Sequence, residues 1–330
     1  MSLRNFSISK LKMDLSQGST IAISEALVFL SDVISKATDI NSLINRLSDT
    51  ALMLFSARPA SGLLFNALRS LLLSALRLIK EMPDVHFVKE SLTKEIYQLV
   101  STYKNALKSI ATIGVKRLED DDIILTGTYS STVFSILKQA AEEGKHLTIY
   151  VTESRPGSEG LQLAKDLSKM GFKVVLFVDS AVRYFMKEVD KVLLGAEAIA
   201  ANGAVVSKVG TSLIALAAHE ARVRVFIATS IFKSNPRTML GELVTLEEAS
   251  PALIMSKERL RELNVNVRCP LFEVIPPEYI DALITERGLI APQAVPLIMR
   301  SLYGWPPEHI DLEKLAKSLK RYVKEEVNST

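Results

Sequence analysis

The chain has 330 residues, of which 48% are hydrophobic, and its 40 lysines and arginines against 37 acids give a net charge of +3. This length accommodates two domains of ordinary size, and the hydrophobic fraction is typical of a packed globular protein and excludes a disordered one. The small net charge gives no argument for direct binding of nucleic acid.

Cysteine, histidine and apolar runs exclude further classes. The single cysteine, Cys269, rules out an internal disulfide and a cysteine-rich zinc module, and the 4 histidines are scattered without metal-ligand spacing. No apolar run approaches the length of a membrane span, and the basic N-terminus lacks the apolar core of a secretory signal. We therefore expect a soluble, cytoplasmic protein with no metal, no cofactor and no contact with a membrane.

Helical periodicity covers the first part of the chain. Apolar residues recur at helical spacing over 23–34, 43–54, 64–79 and 92–110, and leucine and alanine are abundant there. The residues Met82-Pro83-Asp84 interrupt the pattern before the longest stretch. The sequence predicts an N-terminal all-helical domain over residues 1–118.

An acidic run at 119–122 precedes a change of period. Short apolar strands at 123–125, 147–151, 173–178, 191–194 and 223–228 alternate with helical stretches. This alternation predicts a parallel sheet with helices on both faces and right-handed crossovers. Residues 119–330 are therefore predicted to form an α/β domain, in which 312–327 is an exposed amphipathic helix.

Polar side chains gather at the carboxyl ends of the predicted strands, where ligands of parallel sheets bind. They are Thr128, Ser130, Ser131, Arg155, Glu197, Asn202 and Lys208. Helix capping explains many of the hydroxyls, but it requires neither Arg155, Glu197 nor Lys208. The pair Gly210-Thr211 then opens a helix whose free N–H groups would attract an anion. The sequence predicts a pocket for a phosphorylated polyol or a nucleotide, with solvated surface turns as the alternative.

One segment of the helical region also carries a candidate. Pro59 can occupy the first turn of the next helix, which places Arg58 at the mouth of that helix, where an anion could bind. An exposed cationic loop is the alternative interpretation of the same residues.

Four segments carry a resemblance to a known family. They are VTESRPGSEGLQLAKDL (151–167), VDSAVRYFM (178–186), GAEAIAANGAVVSKVGT (195–211) and FEVIPPEYIDALITERG (272–288). They resemble the regulatory subunits of translation initiation factor 2B, the alpha subunit above all, and the resemblance spans about residues 20–303. The family also contains isomerases that act on methylthioribose 1-phosphate and ribose 1,5-bisphosphate. The resemblance implies a C-terminal Rossmann-like domain that carries a dimerisation surface, and hence a homodimer or a higher homo-oligomer.

The resemblance also bears on catalysis. The isomerases carry a cysteine and an aspartate at positions that fall here on Thr128 and Glu197. A threonine hydroxyl is a poor proton carrier without an activating base. The longer glutamate displaces its carboxylate by about 1 Å, which can cost ~100-fold in rate. Arg58, Arg155, Asn202 and Lys208, by contrast, match the phosphate-handling pattern.

These departures favour a non-catalytic regulatory subunit that binds translation initiation factor two through that factor's alpha subunit. A pocket for a sugar phosphate or a nucleoside monophosphate can coexist with this role. The alternative is a sugar-phosphate isomerase with an altered catalytic pair. In either case the predicted binding residues are Arg58, Thr128, Ser130, Ser131, Arg155, Glu197, Asn202 and Lys208, and none of them is assigned as catalytic.

Overall fold

The computed structural model describes residues 7–8, 11, 18–263 and 265–327. Its first part is a layer of four helices: α1 (Ser19–Ser35), α2 (Ile40–Ala57), α3 (Gly62–Glu81) and α4 (Val85–Gly114). The side chains of Asp39, Ser61 and Asp84 cap the last three of these helices by accepting a backbone N–H bond. The predicted helical region is therefore confirmed.

Helix α3 has the length and the mean hydropathy of a helix that could cross a membrane. Its apolar side chains, among them Leu64, Leu68 and Leu72, are buried in the core that the helices share. A core helix passes the same test of length and composition, so α3 is explained by its packing in this layer.

The second part of the chain supplies ten strands. They are β1 (Ile123–Thr126), β2 (Thr148–Thr152), β3 (Lys173–Phe177), β4 (Lys191–Gly195), β5 (Ala198–Ile199), β6 (Val205–Lys208), β7 (Arg224–Ala228), β8 (Phe272–Ile275), β9 (Ala282–Thr285) and β10 (Gly288–Ile290). Seven of them form one sheet in the order β10-β9-β7-β4-β1-β2-β3. Strand β10 is antiparallel to β9, and the other neighbours are parallel.

The winding of this sheet reverses between β1 and β4. From β1 the chain proceeds outward through β2 and β3, and it then returns to the opposite side of β1 as β4. At such a switch point the two crossover connections leave toward opposite faces, which opens a crevice beyond the carboxyl ends of the two strands. The topology therefore singles out the ends of β1 and β4 as the place for a ligand.

Helices cover both faces of the sheet. The remaining helices are α5 (Ser131–Glu142), α6 (Glu159–Lys169), α7 (Val182–Phe185), α8 (Thr211–Ala221), α9 (Lys257–Leu263), α10 (Val295–Tyr303) and α11 (Leu312–Tyr322). One apolar core contains Ile136 and Leu163 from α5 and α6, and a second contains Ile214 and Val295 from α8 and α10. Burial on both faces is what a parallel sheet requires, so the predicted α/β class is confirmed.

A small antiparallel sheet was not predicted. Strand β6 pairs with β5 on one side and with β8 on the other. In this register Lys208, the last residue of β6, lies opposite Phe272, the first residue of β8. The small sheet thereby brings two residues that are distant in sequence to one wall of the crevice.

The C-terminal helix differs from its prediction as an exposed helix. The apolar face of α11, with Leu312, Leu315 and Leu319, is buried against α2 and α3 in the core of the helical layer. Its amphipathic pattern thus reflects packing on the first layer, to which the chain returns after completing the sheet. The boundary between residues 118 and 119 stays a prediction.

Candidate functional site

A pocket lies at the switch point, beyond the carboxyl ends of β1 and β4. Thr128 and Ser130 follow β1 in its wall, and Ala196 and Glu197 follow β4. The other lining residues are Gly18, Ser19, Arg58, Tyr129, Gly195, Ser207, Lys208 and Phe272. The volume of the cavity itself is small, about 30 Å³.

Arg58 and Glu197 form a buried ion pair in this wall. Arg58 Nε donates to Glu197 Oε1 at 2.7 Å, and its Nη2 donates to Oε2 at 3.0 Å. The third contact of the guanidinium is the carbonyl oxygen of Leu11, at 3.0 Å from Nη1. The two side chains are only 3% and 5% exposed. Because Arg58 follows α2 and Glu197 follows β4, the pair fastens the helical layer to the sheet.

The environment of Glu197 keeps its carboxylate ionised. Burial alone would raise the pKa, but the charge and the hydrogen bonds of Arg58, the charge of Lys233 and the hydroxyl of Ser61 outweigh it and lower the pKa to about 2. At neutral pH the pocket therefore contains a carboxylate that is able to accept a proton.

Lys208 forms the second ion pair of the pocket. Its Nζ lies 3.1 Å from Oε1 of Glu159, which belongs to the first turn of α6. The same Nζ lies 5.0 Å from the centre of the Phe272 ring, and Cζ of Arg58 lies 5.9 Å from it. Phe272 therefore lies within cation–π distance of both Arg58 and Lys208.

Thr128 carries a hydroxyl without a partner. Its side chain is 5% exposed, and among the residues that the structure describes Oγ1 has no hydrogen-bond partner. Its backbone N–H donates to Ser154 Oγ at 3.0 Å, and its φ is +35°, which is unusual for a β-branched residue. A buried hydroxyl left unpaired costs about 1–3 kcal/mol, so a ligand oxygen that bonded to it would gain this amount.

Ser130 serves mainly as a cap. Its Oγ accepts from the backbone N–H of Val133 at 3.4 Å and lies 2.9 Å from Oγ1 of Thr132. A Cβ on Gly195 would collide with this hydroxyl, so glycine is required where the ends of β1 and β4 approach each other.

Three residues expected at the pocket do not line it. Arg155 is exposed: its N–H donates to Asp179 at 2.8 Å, and its guanidinium donates to the carbonyl oxygens of Leu253 and Ile254 at 3.2 and 3.1 Å. Asn202 is exposed in a turn, where its Oδ1 accepts from the N–H of Ala204 at 3.1 Å. Ser131 begins α5 and lies behind Gly18, where a Cβ on that glycine would collide with it.

The expected anion site at the start of α8 is also filled. Oε1 of Glu273, from β8, accepts the N–H of Ser212 at 2.7 Å, and the carboxylate also bonds to the N–H groups of Gly210 and Thr211. A carboxylate of the chain itself thus takes the position expected for a ligand anion.

Lys233 was missed by the sequence analysis. Its side chain is fully buried, and its Nζ donates to Ser19 Oγ at 2.8 Å and to the carbonyl oxygen of Ala196 at 2.6 Å. It thus places a positive charge behind the carboxylate of Glu197. No signal in the run Ile231-Phe232-Lys233 distinguishes this lysine from a solvated one.

The described residues contain no group of three or more histidines, cysteines or acids that could hold a metal ion. Cys269 is buried outside the pocket, where burial raises the pKa of its thiol. The structure thus brings together Arg58, Thr128, Ser130, Glu197 and Lys208, and the role of these five residues in ligand binding stays a prediction.

A family model described as the initiation factor 2 subunit family matches residues 16–292. The chain belongs to this family. A ribose 1,5-bisphosphate isomerase of Pyrococcus furiosus is 38% identical over 286 residues, which are 86% of this chain and 88% of the relative. One of Methanocaldococcus jannaschii is 40% identical over 261 residues, 79% and 82% of the two chains. The solved structure of a translation initiation factor eIF-2B of Pyrococcus horikoshii OT3 superposes with a TM-score of 0.73 and 25% identity, over 86% of this chain and 95% of that one.

These relatives confirm the family and correct the predicted function. The prediction of a non-catalytic regulatory subunit is wrong, because family members at 38% and 40% identity are named as isomerases. Thr128 and Glu197 therefore do not by themselves mark a family member as non-catalytic. The pocket still contains an ionised carboxylate just after β4, so the substitutions leave a proton acceptor in place.

Proposed function

We propose that the protein is an isomerase of phosphorylated pentoses, with ribose 1,5-bisphosphate as the substrate to test first. The observation that carries the proposal is the ionised carboxylate of Glu197 in a pocket at the switch point of the sheet. Two cations, Arg58 and Lys208, line the same pocket and suit a phosphorylated ligand. The relatives named as ribose 1,5-bisphosphate isomerases support the choice of substrate.

The chemistry requires one proton acceptor close to the sugar. Converting ribose 1,5-bisphosphate into its ketose breaks the C1–O4 bond of the ring and the C2–H bond, and it forms a C–H bond at C1. The proton of the C2 hydroxyl moves to O4, so no oxidant or reductant is consumed. In the proposal Glu197 removes the proton from C2 and returns a proton to C1. The unpaired hydroxyl of Thr128 binds a sugar oxygen and holds the two carbons beside the carboxylate.

Arg58 links phosphate binding to this proton transfer. A carboxylate with a pKa of about 2 is a weak base, because a general base works best with a pKa near the working pH. A ligand phosphate that bonded to Arg58 would weaken the hold of the guanidinium on Glu197. The pKa of Glu197 would then rise toward its ordinary value when the substrate is in place.

The test is turnover of ribose 1,5-bisphosphate by the purified full chain, with circular dichroism to verify that each variant is folded. We expect the wild type to form the ketose and Glu197→Gln to lose at least 100-fold in rate. Thr128→Cys should raise the rate, because a thiol exchanges protons far more readily than a hydroxyl. Absence of turnover by the folded wild type, or unchanged turnover in Glu197→Gln, would overturn the proposal.

We also propose that the protein acts in the cytoplasm as a homo-oligomer assembled through the α/β layer. Exposed apolar side chains occur on β3 (Leu176), beside its end (Val178), on α7 (Tyr184) and on α8 (Leu213 and Leu216). Apolar side chains at this density suit an interface. Light scattering that gave the mass of one chain, 36.4 kDa, would exclude the oligomer.

A further inference from the structure

Glu159 is a buried carboxylate that has no role in the proposed mechanism. It lies in the first turn of α6, its side chain is 5% exposed, and its Oε1 is 3.1 Å from Lys208 Nζ. Lys208 lines the pocket, but Glu159 does not. Glu159 therefore pairs with Lys208 from outside the pocket. It offsets the charge of that cation without occupying the space of a ligand.

The charges around the pocket are close to balance. Among the described residues, three cations contribute (Arg58, Lys208 and Lys233), and two carboxylates oppose them (Glu197 and Glu159). A third carboxyl group, Glu247, lies near Arg58 and Glu197, and burial raises its pKa. Each phosphate monoester carries roughly 1.5 to 2 negative charges at neutral pH. A net charge of one or less is closer to the charge of a single phosphate than to that of a bisphosphate, so each carboxylate beside a cation weakens the attraction for the second phosphate.

The position of Lys208 does not depend on Glu159 alone. Its backbone is fixed in the small sheet, where Lys208 pairs with Phe272, and its Nζ also lies 5.0 Å from the centre of the Phe272 ring. Removing the charge of Glu159 should therefore leave the ammonium group near the pocket and make it more available to an anion.

We infer that Glu159 is a specificity-determining residue: it offsets the charge of Lys208 and so lowers the affinity of the pocket for doubly phosphorylated pentoses relative to singly phosphorylated ones. This inference rests on the proposed function for the class of ligand, but it concerns binding and does not require turnover. Glu159→Gln, which keeps the shape of the side chain and removes its charge, should shift the preference toward the bisphosphate.

The experiment is titration calorimetry with ribose 1,5-bisphosphate, ribose 5-phosphate and unphosphorylated ribose. Glu159→Gln should lower the Kd for the bisphosphate about tenfold, lower that for the monophosphate less, and leave any weak binding of ribose unchanged. The gain should shrink as salt is raised, because screening weakens charge effects and does not alter a purely structural one.

Asp122→Asn is the matched control. Asp122 forms an ion pair of 2.6 Å with Lys191, whose side-chain exposure of 15% equals that of Lys208 in its own pair. Because Lys191 begins β4, this pair lies at the amino ends of the strands, whereas the pocket lies beyond their carboxyl ends. Asp122→Asn should therefore leave all three affinities unchanged.

If Glu159→Gln does not fold, Glu159→Ala replaces it, since it also removes the charge and should shift the preference toward the bisphosphate. Glu159→Asp retains the charge, and it should bind the three sugars as the wild type does. Weaker or unchanged binding of the bisphosphate by folded Glu159→Gln would overturn the inference, as would a tenfold gain in Glu159→Asp. Because calorimetry registers binding without catalysis, a protein that binds as expected but shows no turnover would contradict the proposed function and leave this inference intact.

Discussion

Arg58 and Glu197 are 139 residues apart in the chain, and they form a two-bonded ion pair, at 2.7 and 3.0 Å, that is almost completely buried. One partner ends a helix of the first layer and the other follows a central strand of the sheet. This ion pair therefore helps to join the two layers, and it also keeps the carboxylate at the switch point ionised.

Breaking this pair should destabilise the protein strongly. Glu197→Gln leaves the guanidinium of Arg58 buried without a balancing charge, and such changes typically cost about 3–5 kcal/mol. The free energy of unfolding, measured in urea, should fall by about this amount. The double variant Arg58→Met/Glu197→Leu should recover part of the loss, since the guanidinium is no longer buried without a partner charge and only Lys233 keeps an unbalanced charge; a double variant less stable than Glu197→Gln would contradict this account.

Because of this pair, we expect the free energy of unfolding to depend on pH in the acid range. The folded pKa of Glu197 is about 2 and the ordinary value is 4.5, so the folded state binds fewer protons than the unfolded state between these values. The stabilisation should be fully present above about pH 4.5 and should be lost as the pH falls toward 2. Urea midpoints between pH 2 and 7 should therefore converge for the wild type and Glu197→Gln at the acid end, whereas a constant difference would count against the lowered pKa.

Thr128→Val should separate binding from stability. Valine keeps the shape of threonine and removes a hydroxyl without a partner, so the free energy of unfolding should stay the same or rise slightly. Affinity for ribose 1,5-bisphosphate, measured by calorimetry, should fall about tenfold, because the ligand loses one hydrogen bond.

Thr132→Val is the matched control for this substitution. The hydroxyl of Thr132 donates to the carbonyl oxygen of Ala228 at 2.8 Å, so its removal should cost about 1 kcal/mol of stability and leave affinity unaltered. If both variants lost stability and neither lost affinity, the hydroxyl of Thr128 would have no part in binding.

Glu273→Ala tests the cap of α8. Loss of its carboxylate leaves N–H groups at the start of the helix without a partner, so the free energy of unfolding should fall by about 0.5–2 kcal/mol. Affinity for the bisphosphate should not change, because Glu273 does not line the pocket. Glu278→Ala, the same substitution at an exposed acid nearby, should change neither quantity.

Much of the fold follows from periodicity in the sequence. Helical spacing in the first 118 residues and the alternation of strands and helices after them predict the two layers, because each pattern reports which side chains a local segment buries. The burial of α11 could not be predicted in this way. An amphipathic helix shows an apolar face whichever surface that face contacts, and only the folded chain brings Leu315 and Leu319 onto α2 and α3.

The sequence predicted those residues of the candidate site that directly follow a strand of the sheet. Thr128, Ser130 and Glu197 follow β1 and β4, so the position of these strands in the sheet places them at the pocket. Arg155 also follows a strand, but its side chain donates to carbonyl oxygens of a segment that is distant in the sequence. The spacing of residues does not predict the direction in which a side chain points. Phe272 was missed because its place beside Lys208 depends on the pairing of β6 with β8, two strands that are distant in the sequence.

The central claim is that this pocket moves a proton between two carbons of a phosphorylated pentose, and incubation of ribose 1,5-bisphosphate with the full chain in D₂O tests it most directly. Nuclear magnetic resonance should show a ketose that carries deuterium at C1, because a proton held by Glu197 exchanges with solvent, and Glu197→Gln should form little of it. Ribose 1,5-bisphosphate that remained unchanged after prolonged incubation with folded wild-type protein would contradict the account.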